Sequence, residues 1–293
     1  MALLLISRRL GAALAALILC LSSAQSADAR EPLDSSHPPF SALGRVNAGG
    51  ASFCSGVLIG PETALTAAHC LYNAKTKRWW PPEDIHFVAG YWRDSWVAAA
   101  KAKRIRRDPT FTPQDRHPHL SEIGRDWAVI ELDAPIGRTA GWFPLIRTPG
   151  LDEGSLALQA GYRRDRAFAP ELSPPCRIVG QDQESGTVFQ DCLVPEGGSG
   201  SPLFVLDKGV LGVAGIHSAQ IRGVHDGQNK LLAALVPTSR FEDKIPAQPA
   251  PPDAGSGARA AAKILARRAG LPEPTNGGGL DALMHKLYRE ETR

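Results

Sequence analysis

The sequence has no surplus of charge: across 293 residues the formal net charge is +3, too little to argue for a nucleic-acid partner, which needs a concentrated basic face. It has no internal repeat. It has no C-x-x-C pair, so a zinc site would lack its usual spacing. It also has no apolar run long enough to span a bilayer, because Leu10–Leu21 is about half of the ~20 residues a membrane helix requires. That run follows Arg8-Arg9 and leads to Ala27-Asp28-Ala29, an A-x-A site, which is the pattern of a secretory signal. We expect residues 1–29 to be removed, with Ala24 and Ser26 as alternative cleavage points and an uncleaved anchor as the competing reading. The product would be secreted or periplasmic, with no stable membrane anchor. Cys20 counts as one more apolar residue, since Leu19 is too bulky for lipoprotein processing.

What is present describes a loop-rich globular chain: 43% apolar and 22% charged residues, with 29 glycines and 24 prolines. The length allows one domain of about 200 residues with appendages, or two small ones. Beyond the signal four cysteines remain, Cys54, Cys70, Cys176 and Cys192. An even count outside the cytosol points to two disulfides, with three pairings open and zinc as the rival.

From Ser52 onward, short runs rich in Val, Ile, Leu, Phe and Trp alternate with Gly, Pro, Asp and Asn. Strands are expected at Phe53–Ile59, Ala64–Ala68, Ile85–Ala89, Trp96–Arg104, Trp127–Leu132, Leu156–Tyr162, Thr187–Cys192, Pro202–Leu206, Val210–His217 and Leu231–Val236. No crossover helices separate them, so the fold class is all-β, antiparallel barrels or a sandwich. A short helix at Thr238–Lys244 closes this part. Residues 247–257 form a Pro-, Ala- and Gly-rich linker. Residues 258–293 then read as a helical extension: Ala258–Ala269 is alanine-rich, and Leu280, Leu283, Met284, Leu287 and Tyr288 share one helical face. That face suits docking on its own domain, a partner, or a membrane surface, with disorder as the remaining alternative.

Peptide hydrolysis by serine needs a hydroxyl beside a base, a base held in one tautomer, and donors aimed at a developing oxyanion. Thr66-Ala67-Ala68-His69-Cys70 offers a base at the end of an apolar strand. Gly197-Gly198-Ser199-Gly200-Ser201-Pro202 offers a serine on a glycine-dense turn. Arg125-Asp126-Trp127-Ala128-Val129-Ile130 sets an acid at the head of a strand. In this order and with these neighbours the chain resembles the chymotrypsin-like, or trypsin-like, serine protease family from about Ser41 to Pro246. The family patterns are T-A-A-H-C, D-x-A-[LVI]-x-x-L and G-x-S-G-[GS]-P.

The resemblance implies two six-stranded antiparallel β-barrels in a protease domain over residues 30–246, with the site between them. It implies that Ser199 attacks, His69 transfers the proton, Asp126 orients His69, and the N–H groups of Gly197 and Ser199 form the oxyanion hole. It also implies Cys54–Cys70 and Cys176–Cys192 bonds. The substrates would be proteins or peptides, and no cofactor or metal is implied.

Two departures narrow the reading. Gly198 stands where digestive members carry an aspartate that pairs with a newly cut N-terminus, so that activation route is excluded. The Gly-Ser-Gly-Ser-Pro form is similar to the bacterial branch that includes glutamyl endopeptidases. Leu193 occupies the position of trypsin's pocket aspartate and is followed by Val194, which disfavours cleavage after Lys or Arg, because burying an unpaired charge costs several kcal/mol. Gly215-Ile216-His217-Ser218 resembles the pocket wall. Ser218 would support Asp126. His217 would receive an acidic side chain before the scissile bond, or else is a structural histidine in a strand. His117 and His119 are read as surface residues, and Lys103–Arg107 as a solvated strand edge. A non-catalytic protease-fold binding protein is the rival function. An α/β-hydrolase is rejected because Ser201 breaks G-x-S-x-G and the strand–helix rhythm is missing.

Overall fold

The apolar runs become strands and the intervening glycines, prolines and aspartates become turns. In the computed structural model, residues 32–50, 52–113, 118–146, 151–225, 227–273 and 279–291 are described; the expected export segment 1–29 and His117 lie outside them. The first half contributes β1 (Leu43–Ala48), β2 (Ser52–Gly60), β3 (Thr63–Thr66), a small hairpin of β4 (Tyr72–Asn73) and β5 (Arg78–Trp79), then β6 (Ile85–Ala89), β7 (Ala98–Arg107) and β8 (Ala128–Leu132). Six of these close an antiparallel barrel in the order β1-β2-β3-β8-β7-β6. Val46, Val57, Leu65, Phe87 and Val129 are fully buried in its core. Gly44 pairs with Gly56, and a Cβ on Gly44 would stand 2.4 Å from Phe87 Cε1, so the glycine makes room for that ring.

The second half supplies β9 (Leu156–Tyr162), β10 (Pro170–Leu172), β11 (Cys176–Gln181), β12 (Val188–Gln190), β13 (Pro202–Asp207), β14 (Val210–His225) and β15 (Gln228–Pro237). The order β9-β11-β12-β15-β14-β13 closes through a β9–β13 pairing into a second six-stranded barrel, with β10 added on β9. Closure removes the free edges that would otherwise invite aggregation. The two-barrel architecture therefore matches the expectation from sequence.

Local differences have local causes. The expected strand Ala64–Ala68 ends at Thr66, and His69 sits in the 3-10 turn Ala68–Leu71. The expected helix Thr238–Lys244 is two 3-10 turns, Thr238–Arg240 and Glu242–Lys244, interrupted at Phe241. Phe241 is fully buried and stacks on Trp127 at 5.1 Å between ring centroids. Burying such a ring contributes about 1.5–3 kcal/mol, more than one helical turn supplies.

Three features organise the remaining segments. Helix α1 (Leu120–Ile123) precedes Asp126, and α2 (Gly137–Ala140) follows β8. The linker runs across the first barrel, where Trp142 Nε1 donates to Pro249 O at 3.1 Å. Helices α3 (Ser256–Arg268) and α4 (Gly279–Glu291) then dock on the same fold: Ala258, Ala261, Ala266 and Leu280 are fully buried, as are Met284 and Leu265 within 2%. Of the alternatives open for the apolar tail face, docking on its own domain is the one observed. Among the described residues no helix is long and apolar enough to cross a membrane.

Candidate active site

His69 is set by its neighbours on both sides. Thr66 Oγ1 donates to Ser55 O at 2.8 Å, and Cys70 is bonded to Cys54 across a Cα–Cα distance of 5.9 Å. The adjoining turn therefore has little freedom. Asp126 follows α1, and its N–H donates to Ile123 O at 3.1 Å. Its side chain is only 4% exposed, yet it receives three donors: the His69 backbone N–H at 2.8 Å, His69 Nδ1 at 2.6 Å and Ser218 Oγ at 2.5 Å. A buried carboxylate with its acceptor sites filled stays ionised and holds the imidazole with its proton on Nδ1.

Electrostatics follow from this packing. Burial pushes the His69 imidazolium down, but the charge and hydrogen bond of Asp126 more than offset it and leave the imidazole above its ordinary 6.5. Burial pushes the Asp126 carboxyl up, and His69, Ser218 and the backbone donor together bring it below 3.8.

Ser199 lies on a turn that only glycine can make. Gly197 has φ +93° and Gly200 φ +77°, and a Cβ on Gly200 would stand 2.2 Å from Thr66 Oγ1. The turn is thus pressed against the strand that leads to His69. Ser55 N donates to Ser199 O at 2.9 Å, and Gly200 N donates to His217 O at 2.9 Å. Arg164 N donates to Glu196 O at 2.7 Å, and in a trans peptide the N–H of Gly197 points the opposite way from that carbonyl. Among the described residues the N–H groups of Gly197 and Ser199 have no protein acceptor, as an oxyanion hole requires. Ser199 Oγ makes no hydrogen bond to His69 among these residues; such contacts commonly tighten only when substrate arrives.

The other expected residues fall as follows. His217 and Ser218 lie on β14 at a register shift, with His217 N donating to Ser201 O at 2.9 Å. His217 is 4% exposed, and its Nδ1 is buried without a hydrogen-bond partner among the described residues. Burial, then the nearby His69, push its pKa down to about 3, against a smaller opposing pull from Asp126. His217 is therefore neutral. Leu193 is 57% exposed, so its side chain does not floor a buried pocket; Val194 beside it is buried. A second disulfide joins Cys176 to Cys192. A cavity of about 200 Å³ opens beside His69 and Asp126, lined by Phe111, Pro113, Pro118 and Ile123.

Sequence reasoning missed Ser55 and Arg164. Ser55 accepts Tyr162 N on its Oγ at 2.7 Å and donates the hydroxyl to Gly197 O at 3.4 Å, tying both barrels to the turn. Nothing in the local sequence marks it beyond its place after Cys54. Cys54, His69 and Cys70 also place donor atoms within 4.8 Å of one another, but both cysteines are disulfide-bonded and His69 is engaged by Asp126, so the group does not fit a metal.

The family model named Trypsin matches residues 30–245. Among solved structures, the fold is similar to a Glu endopeptidase in complex with MPD, at TM-score 0.57 and 21% identity over 74% of this chain and 95% of that one. It is also similar to the scabies mite inactivated protease paralogue S-D1, at TM-score 0.55 and 15% identity over 74% and 94% of the two chains. Human heparin binding protein aligns at TM-score 0.54 and 17% identity over 75% and 98%. No curated protein matches the chain. At these identities the structural likeness establishes the fold.

Proposed function

The chain belongs to the trypsin family, and on that premise we propose that it is an exported serine endopeptidase using Ser199, His69 and Asp126. The observation that carries the reading is the buried Asp126 carboxylate, which holds both the backbone and the Nδ1 of His69 while Ser218 supports it. Ser199 would attack the scissile carbonyl as His69 Nε2 takes its proton, and the negative oxygen would settle against the N–H groups of Gly197 and Ser199. Collapse would break the C–N bond, with His69 protonating the leaving amine. Water would then repeat the sequence on the acyl-enzyme. Losing one oxyanion donor costs about 10²–10³ in turnover. The two disulfides support an oxidising compartment and hence export. The rival binding role draws no support from the site, since no triad residue is lost.

A preference for acidic residues before the scissile bond belongs to the same proposal. The buried, unpartnered Nδ1 of His217 supports it, with a neutral imidazole hydrogen-bonding a Glu or Asp carboxyl in place of a charge pair. The test is digestion of a diverse peptide mixture by the protein and its Ser199→Ala variant. Serine-dependent cuts enriched after Glu or Asp are expected. Equal cleavage by both proteins would overturn the mechanism, and serine-dependent cuts without that enrichment would overturn the preference alone.

A further inference from the structure

The segment from Leu193 to Gly198 carries an oxyanion donor and leads to Ser199, so its position matters to the chemistry proposed above. The route by which digestive relatives fix it is closed here for steric reasons. A Cβ at Gly198 would stand 2.4 Å from Val194 Cγ1 and 3.0 Å from Pro195 O, leaving no space for an aspartate. The downstream end is held by Ser55 and His217. The upstream end begins at Asp191 and Cys192, and the C-terminal helix meets it there.

Tyr288 of α4 donates its hydroxyl to Asp191 Oδ2 at 2.9 Å. The other oxygen of that carboxylate accepts Arg177 N at 2.6 Å, and Asp191 N donates back to Arg177 O at 3.1 Å. The Arg177 guanidinium lies 4.3 Å from the Tyr288 ring centroid, and its Nη1 donates to Gly154 O at 3.3 Å. Arg177 adjoins Cys176 and Asp191 adjoins Cys192, so this cluster sits on the second disulfide. The helix that presents Tyr288 is itself anchored, since Leu280 and Met284 are buried almost completely against the core that also takes in α3.

We propose that α4 is an intramolecular brace and that Tyr288 is a positioning residue, acting through Asp191 to hold the segment 193–198 in its oxyanion-binding form. The tail would thus supply, from the C-terminal side, the fixation that Gly198 denies to a new N-terminus. The catalytic consequence rests on the endopeptidase reading; the structural coupling does not. A tyrosine hydroxyl bonded to a carboxylate is among the stronger neutral–charged contacts. Its loss should be felt where the carboxylate is attached.

The test uses the full chain with Tyr288→Phe, which keeps the ring and its contact with Arg177, and with Lys286→Ala on the exposed side of the same helix as control. Three experiments are run: amide hydrogen exchange of residues 192–198, steady-state kinetics (kcat and KM) on a peptide substrate at 25 °C, and a thermal melt for the midpoint. Tyr288→Phe should accelerate exchange in 192–198 about tenfold, and lower kcat about three- to tenfold with a smaller change in KM. Lys286→Ala should change none of these. A Tyr288→Phe protein with a lowered midpoint but unchanged exchange and kcat would overturn the brace and leave α4 a stability element. Faster exchange with unchanged kcat would also overturn the positioning role. If the unmodified protein hydrolyses no peptide, the endopeptidase reading fails, while the exchange comparison still decides whether α4 braces the segment.

Discussion

Replacing His217 by Phe should remove much of the protein's acid sensitivity. The imidazole is 4% exposed, and burial together with the nearby His69 pushes its pKa down to about 3, Asp126 only partly countering this. In the unfolded chain the same group titrates near its ordinary value of 6.5. Between those values the unfolded state binds a proton that the folded state refuses, so stability present above about pH 6.5 is lost as the pH falls. The slope approaches about 1.4 kcal/mol per pH unit, giving roughly 2–3 kcal/mol between pH 7 and pH 4.5. For a domain of this size that is a fall of about 5–11 °C in thermal midpoint from this one residue. Phe has a ring of similar size, never titrates, and removes the unpartnered Nδ1, so the variant should be no less stable than the parent at pH 7. Asp126 and His69 remain in both proteins and largely cancel in the difference. Melting curves from pH 7.5 to pH 4.5, run in a Ser199→Ala background to prevent self-digestion, give the measurement. Parallel pH dependences in the two proteins would refute a buried neutral His217.

Other outcomes follow from the same contacts. With His69 held above 6.5 by Asp126, kcat/KM should rise with pH through that raised value and then level; a limb centred below 6 would contradict the pairing. Ser55→Ala deprives Tyr162 N and Gly197 O of their partner and should cut kcat/KM about tenfold or more in a steady-state peptide assay, with rates equal to the parent counting against the role. Converting both Cys54 and Cys70 to Ser opens a link between residues separated by 16 positions and should lower unfolding free energy by about 3 kcal/mol in urea titration.

The barrels and the three motif segments were legible because each depends on local pattern. Short β-rich runs between turn residues give strands, and Ile85–Ala89 and Leu156–Tyr162 match their observed bounds. Strands lacking that pattern were not seen. β1 carries Gly44, Arg45 and Asn47, β11 is interrupted by Gly180, and β14 extends eight residues past His217 through a polar stretch paired with β15. At the site, residue types pointed to His69, Asp126 and Ser199, but not to residues whose role is a single long-range bond. Ser55 lies more than a hundred residues before the turn it holds, and Tyr288 nearly as far after Asp191. The exposure of Leu193 and the neutrality of His217 likewise come from tertiary packing, which sequence position does not encode.

The central claim is that Ser199 is a nucleophile activated by His69, and covalent labelling tests it most directly. The full chain, its Ser199→Ala variant and its His69→Ala variant are treated with a fluorophosphonate at pH 7.5 and mapped by peptide mass spectrometry. The account predicts one phosphonyl adduct on Ser199, none in Ser199→Ala, and labelling slowed about 10³-fold or more in His69→Ala. An adduct on a different serine, no adduct at all, or an undiminished rate without His69 would contradict it.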